Sequence, residues 1–318
     1  MREPAGSKVT HQPKLYDQLV TAAPNRYRSH DEDSARWLDF VYRPGDIVIS
    51  TRSKSGTTWM QMLCALLVFR TATLPRPLGE LSPWLDWLGV DADDLYSQLD
   101  AQTHRRIIKT HTPLDGNPLS PDALYIVVAR HPLDAAASLY HQNSNIDRDR
   151  LAELTGNQSG GTTDRPRPSV AEWLNAWIDW DGPIIDGTTN NLDSLPGVMW
   201  HLSDAWARRE EANVILVRYE DLLADLPAEM RRLATALDTD IDDATIAQLA
   251  RAATFEEMRR HSDELAPDPG RILKSRAAFF RQGTSGAAAE VLSPDDVARY
   301  RTRIDGLAPA SLVNWLHP

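Results

Sequence analysis

Four short apolar runs, each rich in β-branched residues, punctuate the chain at Ile47–Ser50, 106–111, 123–129 and 213–218. Continuous runs of this length bounded by polar residues read as buried strands rather than half-exposed ones. Between them the apolar spacing lengthens to the helical period. Trp59, Met60, Leu63, Leu66 and Leu67 form one such face, beginning at Thr57. A second helix starts at Pro132, a residue suited to a first turn, and continues through Ala135, Ala136 and Ala137. Further helices are expected over 34–42, 91–100, 169–180 and 198–211, the third opened by a capping box of Ser169 and Glu172. The last third is mostly helical, with starts at Thr254, again with a box to Glu257, and at Ser293 for a helix to about 304. Strands alternating with helices predict an α/β fold: a single domain over 1–318 with a central parallel sheet of about four to five strands flanked by helices. Two segments lack periodicity, 143–168 and 1–30, and are read as a mobile loop over the site and a flexible N-terminus.

The first strand runs into Thr51–Thr58, a stretch of small polar residues around Gly56, and then directly into a helix. Strand, tight loop and helix start make an anion site, because unpaired N–H groups converge there and the helix dipole adds positive potential. Lys54 adds a mobile charge, and Ser55, Thr57 and Thr58 add hydroxyl donors. The order of residues is not that of the nucleotide-triphosphatase loop, where Lys follows the second Gly. A strand–turn–helix corner carrying a surface Lys is the plainer alternative.

Net charge tightens the reading. At −11 over 318 residues, the chain offers no general attraction to nucleic acid or anionic membrane, so local donors must hold any anionic ligand. Cys64 is the sole cysteine and falls in the apolar helix, which excludes a disulfide framework and fits a buried thiol. Residues 1–24 lack an apolar signal-peptide core, and the longest apolar run, near 60–69, is too short to span a bilayer. A cytoplasmic location is expected, with no transmembrane segment. No Cys/His ligand spacing indicates a metal.

Further polar residues stand where α/β sheets place ligands, at the carboxyl ends of strands. His111 and Lys109 end the second strand, Arg130 ends the third, and Tyr219 follows the fourth. An isolated His at such a place is more often structural than catalytic. Arg130 suits a terminal phosphate, with Ser138 two turns into the next helix, although an ion pair and a back-bonded hydroxyl would also satisfy them. Trp84 and Trp87 serve either as core or as the wall of an apolar acceptor pocket.

Taken together, these stretches resemble the sulfotransferases that use 3′-phosphoadenosine-5′-phosphosulfate (PAPS). The segment from Lys54 to Trp59 matches the YPKSGTTW phosphosulfate loop, a P-loop-like element, with Arg52 and Ser53 departing from it. Lys109-Thr110-His111-Thr112-Pro113-Leu114 is similar to KTHxPL, which carries the family's catalytic His. Arg130 and Ser138 match VxRxPxDxxxSxYH, and Tyr219-Glu220-Asp221-Leu222 matches YEDL. Thr254-Phe255 is similar to TSFxxM, where a merely capping Thr254 and packing Phe255 are equally good readings. Arg281, Gln282 and Gly283 align with FxRKGxxGDW, with Gln282 in place of Lys and Ala287-Ala288 in place of Asp-Trp. The animal dimerisation segment is not recognisable, and a homo-oligomer is left open.

The resemblance implies transfer of a sulfuryl group from PAPS to a hydroxyl, without metal. His111 would be the general base, Lys54 and Lys109 the catalytic cations, and Trp59 the adenine stack. Arg130, Ser138 and Arg281 would read the 3′-phosphate. Within the family the stretch 105–116 is most similar to mycobacterial-type members acting on glycolipids, so a small-molecule or glycolipid acceptor is expected. A small-molecule kinase, or a non-catalytic carbohydrate- or lipid-binding protein on the same fold, are the alternatives.

Overall fold

The four apolar runs meet in one sheet. In the computed structural model, which describes residues 24–156, 166–186, 189–268 and 270–318, the strands are β1 (Ile47–Ser50), β2 (Ile107–Thr110), β3 (Leu124–Ala129) and β4 (Val214–Arg218). They lie in the order β2-β1-β3-β4, all parallel, with Ile47 opposite both Ile107 and Leu124 and Val128 opposite Val217. Every residue of β1, β2 and β3 is buried, as a sheet covered on both faces requires. Alternation along each strand sends Val48, Ile108, Tyr125 and Val127 to one apolar layer, and Ile47, Ile49, Ile126 and Val128 to the other. Helix α1 (Thr57–Phe69) packs on the second layer, and α2 (Pro132–Asn145) follows β3. The helix Leu195–Ala207 covers the first layer.

This order fixes where the site lies. From β1 the chain crosses outward to β2 and then back past β1 to β3, so the order reverses between β1 and β3. Open α/β sheets hold ligands in the crevice outside such a reversal, at the carboxyl ends of the strands. The loop 51–56, His111, Arg130 and Tyr219 all leave the sheet there.

Several elements differ from the sequence reading. The helix expected over 34–42 is a single 3-10 turn, Ser34–Trp37, capped by Asp33. Beyond it Trp37, Phe40 and Tyr42 pack ring against ring, an arrangement that draws the chain out of helical geometry and leaves Leu38 and Val41 at 63% and 74% exposure. The segment 143–168 is partly ordered: α2 runs to Asn145 and a further helix, Arg148–Thr155, is capped by Asp147 and anchored by buried Leu151. Residues 157–165 lie outside the described residues, as do 1–23. Residues 24–30 are tied down rather than free, because Tyr27 is buried, donates to Asp115 at 3.0 Å and accepts from Trp200 at 2.9 Å. The helix expected over 198–211 begins at Leu195 and stops at Ala207, with Ser194 as its cap. At Ser169 both halves of the capping box form, whereas Thr254 accepts from the Glu257 N–H while the Glu257 carboxylate turns to Arg260.

Candidate functional site

A cavity of about 1100 Å³ opens at the carboxyl edge of the sheet, lined among others by Lys54, Trp59, Lys109, His111, Arg130, Ser138, Tyr219, Phe255 and Arg281. Its floor is the loop between β1 and α1. Two residues there take left-handed backbone angles, Lys54 at φ 64° and Gly56 at φ 104°. Only glycine fits the second place, since a Cβ on Gly56 would lie 2.8 Å from the Tyr219 ring. The turn aims the first N–H groups of α1 into the cavity, and that helix has neither a side-chain cap nor an acidic residue in its first turn. Ser55, Thr57 and Thr58 are buried beside it, and Thr57 exchanges a short hydroxyl contact with Thr51.

Three cations converge above this helix end. Lys54 Nζ sits 3.7 Å from the centre of the Phe279 ring. Arg130 donates to the carbonyls of Lys54 at 3.0 Å and Thr284 at 2.9 Å, and its guanidinium lies over Tyr219 at 4.5 Å. Arg281 joins them closely enough to depress the Lys54 pKa. Among the described residues none of the three has an ion-pair partner, although ion pairs are plentiful elsewhere. Burial first, then the charges of Arg130, Lys109 and Arg281, lower the Lys54 pKa to about 7. Arg130 Nε is buried with no acceptor, and Ser138, on α2, makes no hydrogen bond among the described residues. Unneutralised cations and unused donors of this kind are what a polyanionic ligand satisfies.

Aromatic residues frame the same end. Trp59 meets Tyr219 edge to face at 5.2 Å and anchors its indole N–H on the Ala253 carbonyl at 2.8 Å. Phe255 packs on Gly283, where a Cβ would lie 2.2 Å from the ring, so the 255 and 281–283 segments close on each other. Thr254 is the residue the fold does not bring in: it is exposed, its hydroxyl donates to Arg251, and it lies outside the cavity lining. Gln282 lines the cavity but is itself exposed.

Across the cavity stands His111, 6% exposed. Its Nδ1 is 2.5 Å from the Thr51 carbonyl oxygen. A carbonyl only accepts, so Nδ1 carries the proton and Nε2 keeps its lone pair. Burial, then Lys109 and Arg52, lower the imidazole pKa well below its ordinary value and keep it neutral. Lys109 Nζ lies 3.7 Å from the centre of the Trp84 ring, itself edge-on to His111 at 4.8 Å. Burial brings Lys109 down to about 8.

Two features of this side escaped the sequence reading. Asp86, fully buried, accepts from the Trp37 indole at 2.5 Å, from the Thr110 and Thr112 hydroxyls, and from the His111 N–H at 3.2 Å. One carboxylate thus holds the whole 110–112 segment in place. Arg52, which departs from the family loop, is buried, donates to the His111 carbonyl and pairs with Asp193 at 2.7 Å. Its side chain links the 51–56 loop, the His111 backbone and the 193 loop, a link between residues 141 apart that no local pattern signals.

Comparison with known proteins shows the family. The sulfotransferase domain model matches residues 44–308, and the chain belongs to that family. It is thus a transferase that moves sulfuryl groups. The glycolipid sulfotransferase of Mycobacterium tuberculosis (strain H37Rv) is 39% identical over 305 residues, covering 92% of this chain and 93% of its own. That of Mycobacterium bovis matches to the same extent. Among solved structures, retinol dehydratase in a complex with retinol and adenosine 3′,5′-bisphosphate (PAP) gives a TM-score of 0.65 at 20% identity, covering 86% of this chain and 84% of its own, a likeness of fold.

Proposed function

We propose that the protein transfers the sulfuryl group of PAPS to a hydroxyl of a small-molecule or glycolipid acceptor, with His111 as general base. The observation that carries this reading is the group of three cations without ion-pair partners among the described residues, Lys54, Arg130 and Arg281, gathered over an uncapped helix end in a chain of net charge −11. The residues present fit the nucleotide: among the described residues buried Arg130 Nε lacks an acceptor, and it faces the same cavity as Lys54 and Arg281. When bound, PAPS supplies a sulfuryl group joined to a good phosphate leaving group.

The chain's own residues have separable tasks. Lys54 and the N–H groups of Gly56, Thr57 and Thr58, with the Ser55 side, hold the 5′-phosphate end and stabilise the charge that develops on the leaving oxygen. Arg130, Ser138, Arg281 and Gly283 hold the 3′-phosphate, with Gln282 at the rim. Trp59, Tyr219 and Phe255 enclose the base. His111 Nε2 takes the acceptor's hydroxyl proton as that oxygen bonds to sulfur and the sulfur–phosphate oxygen bond breaks. Lys109 offsets charge on the sulfuryl oxygens. Positioning and charge stabilisation dominate such in-line transfers, as they do for phosphoryl groups.

The acceptor side supports an apolar, bulky acceptor, since Trp84, Trp87, Trp173, Trp177 and Trp180 line it. A cytoplasmic location is part of the proposal; no helix among the described residues is long and apolar enough to cross a membrane. Thermal shift tests the donor: PAP is expected to stabilise the protein and ATP with magnesium to leave it unchanged. The reverse pattern would favour a kinase.

A further inference from the structure

Glu32 lies in the cavity lining and is 8% exposed, yet no hydrogen bond or ion pair among the described residues reaches its carboxyl. Buried carboxyls are ordinarily hydrogen-bonded, and an unmet one is costly. The cations near enough to meet it are engaged elsewhere. Arg52 is held by Asp193 and the His111 carbonyl, and Lys109 Nζ rests over the Trp84 ring. The carboxyl oxygens are also absent from the fully sealed polar atoms, a group that includes Arg52 Nε and the Trp84 indole nitrogen, so they face the cavity.

The backbone fixes where this carboxyl stands. Glu32 bridges to Trp87 in antiparallel fashion, Asp33 N–H donates to the Asp86 carbonyl at 2.9 Å, and Leu88 N–H donates to the Asp31 carbonyl at 2.9 Å. The 84–88 segment is the one whose Trp84 and Trp87 rings stack at 5.0 Å and whose Trp84 touches His111. An unmet hydrogen-bond acceptor and the imidazole therefore share one wall. Both faces of Trp84 are covered, one by Lys109 Nζ and the other by Trp87, so the Glu32 carboxyl is what this wall offers to an acceptor, and it suits one with further hydroxyls next to the reacting one.

We propose that Glu32 sets acceptor specificity, its carboxyl hydrogen-bonding to hydroxyls that neighbour the reacting one, so that a polyhydroxylated acceptor is favoured over a simple phenol. The inference rests on the reading of His111 as the point where an acceptor hydroxyl reacts. Burial, opposed by Arg52, also raises the Glu32 pKa well above the ordinary range. A carboxyl that holds its proton can donate to a hydroxyl as well as accept from one.

Octyl β-glucoside and 4-nitrophenol are the probes, with PAPS as donor. The wild type sulfates octyl glucoside. In Glu32→Leu the ratio of kcat/KM for octyl glucoside to that for 4-nitrophenol falls about tenfold or more, carried by KM, the size expected for hydrogen bonds lost at a buried polar group. Glu32→Gln keeps one acceptor oxygen and recovers part of the ratio. Calorimetric PAP binding reports that each variant is folded; should Glu32→Leu fail that check, Glu32→Gln decides, and an unchanged ratio there overturns the proposal. A folded Glu32→Leu protein with an unchanged ratio overturns it too, as does a wild type that sulfates only 4-nitrophenol. A wild type that binds no PAP and sulfates neither probe overturns instead the donor reading beneath it.

Discussion

The two ends of the cavity are built on opposite principles. At the end of α1, positive charge is gathered without compensation: Lys54, Arg130 and Arg281 have no ion-pair partner among the described residues, and burial together with the neighbouring cations lowers the Lys54 pKa. At the His111 end, most buried polar groups are held by hydrogen bonds or an ion pair. Arg52 is paired with Asp193, and Asp86 is surrounded by four donors. Five tryptophans fill much of the remaining wall. The first end is electrostatically unfinished and waits for a polyanion. The second is a hydrogen-bonded frame around one neutral imidazole, and the Glu32 carboxyl is the acceptor it leaves unmet among the described residues. Binding energy from charge and precision of chemistry thus come from different regions, joined by the hydrogen bond from His111 to Thr51.

Removing the base should break the comparison most sharply. His111→Ala is expected to lower kcat about a hundredfold or more while PAP affinity stays within about twofold. Single-turnover kinetics and calorimetry measure the two. A large loss of PAP affinity would show that the ends are not independent.

Next in size is the opposite end. Arg130→Ala removes a charged donor, and such bonds contribute about 1.5–3 kcal/mol, so the PAP Kd should rise about ten- to hundredfold. Adenosine 5′-monophosphate, which lacks the 3′-phosphate, should lose much less. Equal losses for both nucleotides would assign Arg130 to the loop it braces through the Lys54 carbonyl instead.

The same division explains what could be read from sequence. The cation end was legible because a strand, a six-residue loop and a helix start place Lys54, Gly56 and Thr57 by local geometry alone. Arg130, Ser138 and His111 follow their strands just as directly. Glu32 and Asp86 were not legible, because their roles depend on pairing between 31–33 and 86–88. Asp86 sits in an aromatic, aperiodic stretch whose order comes from Trp37 and Thr110, 49 and 24 residues away. Residues 24–30 likewise look polar and free until Asp115 and Trp200 are seen to hold Tyr27. The helix Arg148–Thr155 carries little apolar periodicity and is announced only by its Asp147 cap. Thr254 shows the converse, a motif match whose local capping role is the one the fold displays.

Asp86 gives the third prediction. Asp86→Asn puts an amide, itself partly a donor, among four donors, leaving at least one buried group unmet. The expected loss of stability is about 1–3 kcal/mol by denaturant titration. kcat should fall less than in His111→Ala, because the Thr51 contact still orients the ring. Unchanged stability would show that the carboxylate is not what holds the 110–112 segment.

The smallest effect is a fraction of a proton, and it probes the unfinished end directly. With a pKa of about 7 in the free protein, Lys54 is about half charged at neutral pH. A bound polyanion favours the charged form and raises that pKa. Between the free and bound values the complex therefore holds more protons than the free protein, so PAP binding takes up protons and its affinity falls as pH rises from 7 towards 9. Calorimetry in buffers of different ionisation enthalpy measures the uptake, expected to approach one proton near pH 8, well above the second phosphate pKa of about 6, and to give way to release near pH 5, where Lys54 is already charged and the phosphates shed protons on binding. In Lys54→Arg the guanidinium stays protonated throughout, so the uptake near pH 8 should shrink to what Lys109, at about 8, contributes. His111 adds nothing in this window, since its depressed pKa leaves it neutral on both sides of binding. Undiminished uptake in Lys54→Arg would place the missing proton on another group and remove Lys54 from the phosphate end.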